Sequence, residues 1–394
     1  MDIELAAREI LQKNRRTTSG FQYTVPSPST YPYQWMWDSC FHAIILSSYD
    51  PDAAKAEMHS LMSKQFQNGM VPHMIYWEPG ELHNYEWGVT GTSALTQPPL
   101  IAYAAWEVFR HTQDVEFLTQ IYPGALAFYR YLVTARDPRQ ANLASIINPD
   151  ESGEDNSSRF DSVLGVNPDI SYWDHIEARK KLYSANIGES PDVSARMREH
   201  FWVKDVPFNA ILVKNLQILA HIASTLQDEV GEHFATQHAG LIKNAMRERM
   251  FDKGVFWSTS GSDYTKLYVE TWAHFAPLFA DLYTHEEADT LLKEHFHNDV
   301  TFRGEWGIRT VSRREPSYRP DGFWRGPVWI APHWFLYKGL MSYGFAEEAN
   351  EVRTLTRNLL EKSGFREYFN PETGEGLGAQ EFTWGALILD MVDK

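Results

Sequence analysis

The stretch Val328-Trp329-Ile330-Ala331-Pro332-His333-Trp334-Phe335-Leu336-Tyr337-Lys338-Gly339-Leu340-Met341-Ser342 is an apolar-periodic run, and a second run over 344–363 follows almost without a gap. Two helical runs joined this tightly fold back on each other as antiparallel neighbours. Long loops, 300–327 and 364–381, bound the pair at its other end. The same pattern recurs outward along the chain, with helical periodicity at about 94–110, 114–136, 207–226, 230–251, 265–282, 285–296 and 382–393. Pro51 sits in the first turn of a further helix, an apolar helix begins near Cys40, and Met1 to Leu11 reads as an amphipathic helix. Short loops join partners at one end, and long polar or aromatic loops such as 68–92 and 141–165 leave the other. Strand signals are few, at 254–258 and 302–312. About six helix pairs, with no linker or low-complexity tract, predict one domain over 1–394. That domain is expected to be all-α: an (α/α)6 barrel, a toroid of six helix hairpins with long active-site loops and minor β-structure. An open superhelix of hairpins is the alternative, weakened by the lack of a fixed repeat length.

Composition narrows the partners. The 394 residues carry a net charge of −16, so no basic stripe is available to neutralise phosphates and nucleic-acid binding is disfavoured. Aromatics make up 14% of the chain, including 14 Trp. Most must pack in the core, and the remainder are expected to line a cleft. The single cysteine, Cys40, excludes an intrachain disulfide and fits a reducing compartment. The N-terminus lacks a basic start and a continuous apolar run, and no stretch approaches a membrane span. A cytoplasmic protein, with no membrane or nucleic-acid partner, is the expectation.

Two carboxylate-bearing segments lie far apart in turn-like sequence. One is Pro149-Asp150-Glu151-Ser152-Gly153-Glu154-Asp155-Asn156-Ser157; the other, Gly378-Ala379-Gln380-Glu381-Phe382-Thr383-Trp384, precedes the last helical run. Two such carboxylates in a Trp-rich chain suggest acid/base cleavage of a glycosidic bond, which needs a proton donor and a base or nucleophile flanking that bond. The acidic cluster does not fit a calcium loop, because its glycine is misplaced and no glutamate follows at the required spacing. His73 has no second His or Cys at ligand spacing and reads as a structural histidine. No metal and no cofactor is expected.

Other segments supply candidate contacts. Asp38, after Tyr31-Pro32-Tyr33-Gln34-Trp35-Met36-Trp37, caps a helix or accepts from sugar hydroxyls beside Trp35. Gln97, before Pro98-Pro99, either caps or reaches a hydroxyl. Asp321-Gly322-Phe323-Trp324-Arg325-Gly326-Pro327-Val328-Trp329 combines two Trp with an Arg able to grip a carboxylate in two bonds.

These segments, taken in order with Gly69-Met70-Val71-Pro72-His73, Val206-Pro207-Phe208-Asn209-Ala210-Ile211 and Tyr368-Phe369-Asn370-Pro371-Glu372-Thr373-Gly374-Glu375, resemble glycoside hydrolase family 63 across almost the whole chain, within it the bacterial sugar-glycerate hydrolases and related α-glucosidases. The resemblance implies an (α/α)6 barrel and inversion at the anomeric centre, with Asp155 as general acid and Glu381 as general base. It places Trp35, Asp38, Gln97, Trp324 and Trp329 around the sugar, with Tyr31 close by. Phe323 stands where the sugar-glycerate hydrolases are expected to carry tyrosine, and Ser158 where the family often has proline. The expected activity is hydrolysis of a terminal α-glucosyl or α-mannosyl group from a small carbohydrate substrate, an oligosaccharide or a glucosyl- or mannosylglycerate. An acidic aglycone would need a specific cation, with Arg196 and Arg198 preferred as the clamp and Arg325 bracing its loop. A sugar epimerase on the same toroid and a non-catalytic carbohydrate-binding protein are the alternatives.

Overall fold

The structure, a computed structural model, describes residues 2–77, 88–89, 91–187, 197 and 200–392. Its principal helices are α1 (Ile3–Asn14), α2 (Met36–Leu46), α3 (Pro51–Met62), α4 (Ile101–Thr112), α5 (Val115–Ala135), α6 (Tyr172–Ile187), α7 (Val206–Thr225), α8 (Glu229–Arg249), α9 (His285–Leu291), α10 (Ile330–Tyr343) and α11 (Ala346–Ser363). Short turns join partners where the first helix stops sharply or the second starts on a side-chain cap. Gln113 ends α4 in the left-handed region, and Asp114 accepts from the Phe117 amide to open α5. Asp50 with Pro51 opens α3, Asp228 opens α8, and Gly344 at φ +81° ends α10 just before α11.

Packing runs in a closed order. Helix α2 packs on α4, α4 on α7, α7 on the 3-10 turn Ala276–Ala280, that turn on α10, α10 on the 3-10 segment Thr383–Asp390, and this last on α2 again. A second set lies against the first: α1 on Thr383–Asp390, α3 on α2, α5 on α4, α8 on α7 and α11 on α10. Composition explains the two roles. Every residue of α2 is buried, as a helix apolar on all sides requires. By contrast α11 buries one stripe, Ala349, Val352, Leu355, Thr356, Leu359 and Leu360, and leaves its acidic and basic residues toward water. The chain is thus a predominantly helical toroid with little sheet. Among the described residues only Val206–Thr225 is long and apolar enough to cross a membrane, and 72% of its apolar window is buried in the core.

Several expected runs differ from what forms. Helix α4 starts only at Ile101, since Pro98-Pro99 keeps the preceding segment out of the helix. The run at 265–282 yields two 3-10 turns, Trp272–His274 and Ala276–Ala280, with Pro277 lacking a donor for a continuous ladder. The run at 285–296 changes from α to π geometry at Leu292. The last run is the 3-10 segment Thr383–Asp390. Val255–Phe256 is a strand as expected, whereas 302–312 contributes only isolated bridges. Small sheets decorate the long loops, including Gln34–Trp35 with Met74–Ile75 and the hairpin Arg366–Phe369 with Gly376–Gln380.

Candidate active site

The acidic loop is pinned by ion pairs that consume most of its carboxylates. Glu151 is buried and takes both guanidinium nitrogens of Arg136 at 2.7 and 2.6 Å. It also accepts from the amides of Thr96 and Ile147. Glu154 takes Arg159 at 2.6 and 2.9 Å, and Arg159 reaches on to Asp205 at the start of α7. Asp161 takes Arg325 at 2.9 and 2.6 Å. Such buried, two-pronged pairs fix geometry, and each carboxylate in them is committed to its partner. Asp150 and Asp155 remain, and they share Arg179 of α6, at 2.9 and 2.5 Å. The Asp155 side chain is the more exposed of the two, at 23% against 13%. The loop is also pressed onto α2: Gly153 sits at φ +74°, and a Cβ there would collide with the Trp37 indole.

The second carboxylate that the geometry offers is Glu367. Its strand, Arg366–Phe369, buries Glu367 and Phe369. Tyr31 Oη donates to one oxygen at 2.6 Å, and the Ala379 amide donates to the other at 2.7 Å. Gly378, at φ +64°, leaves the room this requires, since a Cβ would collide with Glu367 Oε2. Burial pushes the Glu367 carboxyl up to about 7; the Tyr31 and Ala379 bonds oppose this, and the charges of Asp155 and Asp38 add to it. Asp155 therefore acts electrostatically on Glu367, and it does so on Tyr31 and Tyr172 as well. A buried carboxyl titrating near neutrality beside a second carboxylate is suited to proton transfer.

Asp38 lies in the first turn of α2, buried, accepting from Trp384 Nε1 at 2.6 Å. Burial raises it to about 6 against the opposing charge of His42. Around these acids stand aromatic rings. Trp324 and Trp329 stack at 3.9 Å, Tyr368 stacks on Trp329 at 5.1 Å, and Phe323 meets Trp329, Tyr368 and Tyr172 edge-on. Tyr31 packs edge-on against Trp35 and Phe382. Flat apolar faces beside carboxylates suit a sugar, whose C–H surfaces pack on rings while its hydroxyls donate to acids.

Asp155, Tyr31, Trp35, Asp38, Phe323, Trp324 and Trp329, all expected from the sequence, belong to this network of acids and rings. Gln97 is buried and accepts from the Trp37 amide, holding the start of α2. Arg325 braces its loop against Asp161 through Nη1 and Nη2, which are thereby engaged. Glu381 needs correction. It pairs with Lys13 of α1, its side chain is 41% exposed, and with Ala6, Glu9 and Ile10 it lines a surface groove. Its backbone, at φ +55°, accepts from Asn14. The chain direction at the end of the hairpin turns Glu381 outward onto α1, while the two strand residues Glu367 and Ala379 turn toward the rings. Arg196 and Arg198 lie outside the described residues. Sequence reasoning missed Glu367 and Arg179. His73 is a buried structural histidine bonded to Ser93, and Cys40 is buried.

Comparison with known proteins gives consistent results. Residues 31–385 match the family model described as the mannosylglycerate hydrolase MGH1-like glycoside hydrolase domain. The chain is similar to a mannosylglycerate hydrolase of Thermus thermophilus, 31% identical over 98% of this chain and 99% of that one. It is 28% identical to the glucosylglycerate hydrolase of Mycolicibacterium hassiacum over 93% of each chain. A crystal structure of a family 63 mannosylglycerate hydrolase, also from Thermus thermophilus, in complex with Tris and D-glycerate superposes with a TM-score of 0.89 at 30% identity, covering 98% of this chain and 99% of that one.

Proposed function

The chain belongs to the mannosylglycerate hydrolase MGH1-like glycoside hydrolase family, and from that premise we propose that it hydrolyses an α-mannosyl or α-glucosyl bond to glycerate with inversion. It is a glycoside hydrolase; the substrate, the stereochemistry and the roles of single residues are the proposal. The fold that carries it is an (α/α)6 barrel, a reading supported by the closed packing order of six inner segments with helices laid outside them.

The observation that carries the mechanism is the pair Asp155 and Glu367, electrostatically coupled within one cluster of aromatic rings. Asp155 protonates the glycosidic oxygen as the bond to the anomeric carbon breaks. Glu367, as carboxylate, takes a proton from a water that attacks the opposite face. An inverting pair needs a gap of about 6.5–9.5 Å to seat that water. Tyr31 and the Ala379 amide fix the orientation of Glu367, so its free lone pairs stay aimed at the water. Asp38, held by Trp384, accepts from sugar hydroxyls, Trp35 supplies a face for the ring, and the stacked, buried Trp324 and Trp329 brace the wall around it. For an acidic aglycone, Arg179 is the cation in contact with the proton donor; it already holds Asp150 and Asp155, so the glycerate carboxylate docks on the Asp155 side by displacing Asp150 from it. That the homologous structure was obtained with D-glycerate supports this aglycone class.

The test is proton NMR of the first sugar released from mannosylglycerate and glucosylglycerate. The β-anomer appearing first is expected. Initial release of the α-anomer rejects inversion, and no turnover of either compound rejects the substrate class.

A further inference from the structure

On the flank of the acidic loop is a cavity of about 960 Å³ between that loop and the small sheet Val203–Lys204, Thr259–Ser260 and Thr265–Lys266; none of the rings named around the acids is among its described lining residues. Its lining contrasts with the rest of this acidic molecule. Arg139, Lys266 and His200 line it together with Ser162, Ser260 and Thr265, and no Asp or Glu is among its described lining residues. Among the described residues, two acids beside the lining in sequence already accept hydrogen bonds. Asp137 accepts from the amides of Ala141 and Asn142 at 2.9 and 2.6 Å, and Asp263 accepts from Ser262.

A second observation points the same way. Lys204 lies just behind the wall, its ammonium over the Trp202 ring at 3.8 Å and over Tyr264 at 4.7 Å, bonded to the Gly261 carbonyl. Burial pulls it down to about 7; Asp137 opposes this, while Arg139 and Arg249 push the same way as burial. Cations thus crowd one wall of a chain whose net charge is −16. Placing like charges together opposes folding unless an anion offsets them.

We propose that this cavity is a second ligand site, distinct from the catalytic one, that takes a phosphorylated monosaccharide. Arg139 and Lys266 hold the phosphate, and the serine and threonine hydroxyls bond to the sugar. The volume lies within the range of small-molecule sites, far larger than an inorganic anion needs. The site abuts Ser162, next to the Asp161 that fixes Arg325, so an occupant touches the segment leading back to Asp155.

Isothermal calorimetry on the full chain tests this with three probes: inorganic phosphate, glucose 6-phosphate and glucose. Saturable binding of glucose 6-phosphate, at least tenfold tighter than inorganic phosphate or glucose, is expected. Arg139→Gln combined with Lys266→Gln should weaken it tenfold or more, while hydrolysis of mannosylglycerate in the absence of phosphate stays unchanged. Three results overturn the proposal: no saturable binding of glucose 6-phosphate up to millimolar concentration, equal affinity for inorganic phosphate, or binding that survives the double substitution. Displacement of glucose 6-phosphate by glycerate would place it in the catalytic site and equally overturn the proposal. These readouts do not depend on the identity of the hydrolysed substrate, so a failure of the glycerate assignment would remain separable.

Discussion

At the scale of single residues the central question is which glutamate acts on water. Glu367 is buried, held by two donors and coupled to Asp155; Glu381 is exposed and paired with Lys13. Glu367→Gln should lower kcat by about 10²–10⁴-fold, the usual worth of general base assistance, with KM little changed. Glu381→Gln should stay within a few-fold of wild type. Steady-state kinetics of the two variants decide, and the reverse pattern would restore Glu381 as base. The same assignment fixes a pH profile. A base must be ionised, so kcat/KM should rise with pH through a limb near 7. Tyr31 donates to the carboxylate and opposes the rise, so Tyr31→Phe should move that limb to higher pH. A stationary or acid-shifted limb would mean that another group titrates. Stability follows with the opposite sense. The folded-state value lies above the ordinary 4.5, so the native state binds the extra proton between 4.5 and about 7, and stability falls as pH rises through that window. Glu367→Gln removes this dependence, and its Tm relative to wild type should climb between pH 5 and pH 8. Asp155, Asp38 and the tryptophans could be singled out from the sequence because their flanking motifs are distinctive. It missed Glu367 because the matched segment was read from Tyr368, one residue too late, and a charged residue inside a short strand resembles an ordinary solvent-facing position.

Among elements, α10 and α11 were legible because one is apolar all round and the other carries a single apolar stripe, joined at Gly344. Helix α6 was not. Its residues Tyr172 to Ile187 mix charge and aromatic groups without a clear stripe, and its contribution is Arg179, a long-range partner of the acidic loop. The periodic run at 265–282 pointed to a helix, but it forms 3-10 turns instead, since Pro277 breaks the regular ladder. The elements that carry the two acids depend on close backbone approach, which yields a prediction. Gly153→Ala drives a Cβ into the Trp37 ring and strains a left-handed residue, so the loop must shift off α2. A loss of about 1–3 kcal/mol in stability and a fall in kcat larger than the change in KM are expected from denaturant melts and kinetics. If stability falls but kcat holds, the loop does not position Asp155.

For the whole molecule, the helix hairpins and their alternation of short and long loops were readable because hairpin partners are adjacent in sequence. Closure was inferred only from the count, since the contact of Thr383–Asp390 with α2 joins segments more than 300 residues apart and leaves no local periodic signal. Net charge was readable directly, and it bears on substrate capture. At −16 the molecule repels an anionic glycosylglycerate over distances set by the Debye length, about 30 Å at 0.01 M salt and 8 Å at 0.15 M. In the proposed role of Arg179 its attraction acts at contact, from a buried side chain, and is screened far less. Raising salt should therefore weaken the long-range repulsion more than the local attraction. Stopped-time assays at low substrate concentration should show kcat/KM for mannosylglycerate increasing several-fold between 0.01 and 0.15 M salt, with kcat unchanged. The uncharged mannosylglycerol should show no such increase. A kcat/KM for the acid that falls with salt would mean that local cations, and not the molecular charge, govern encounter, and the site mouth would then have to carry a positive field of its own.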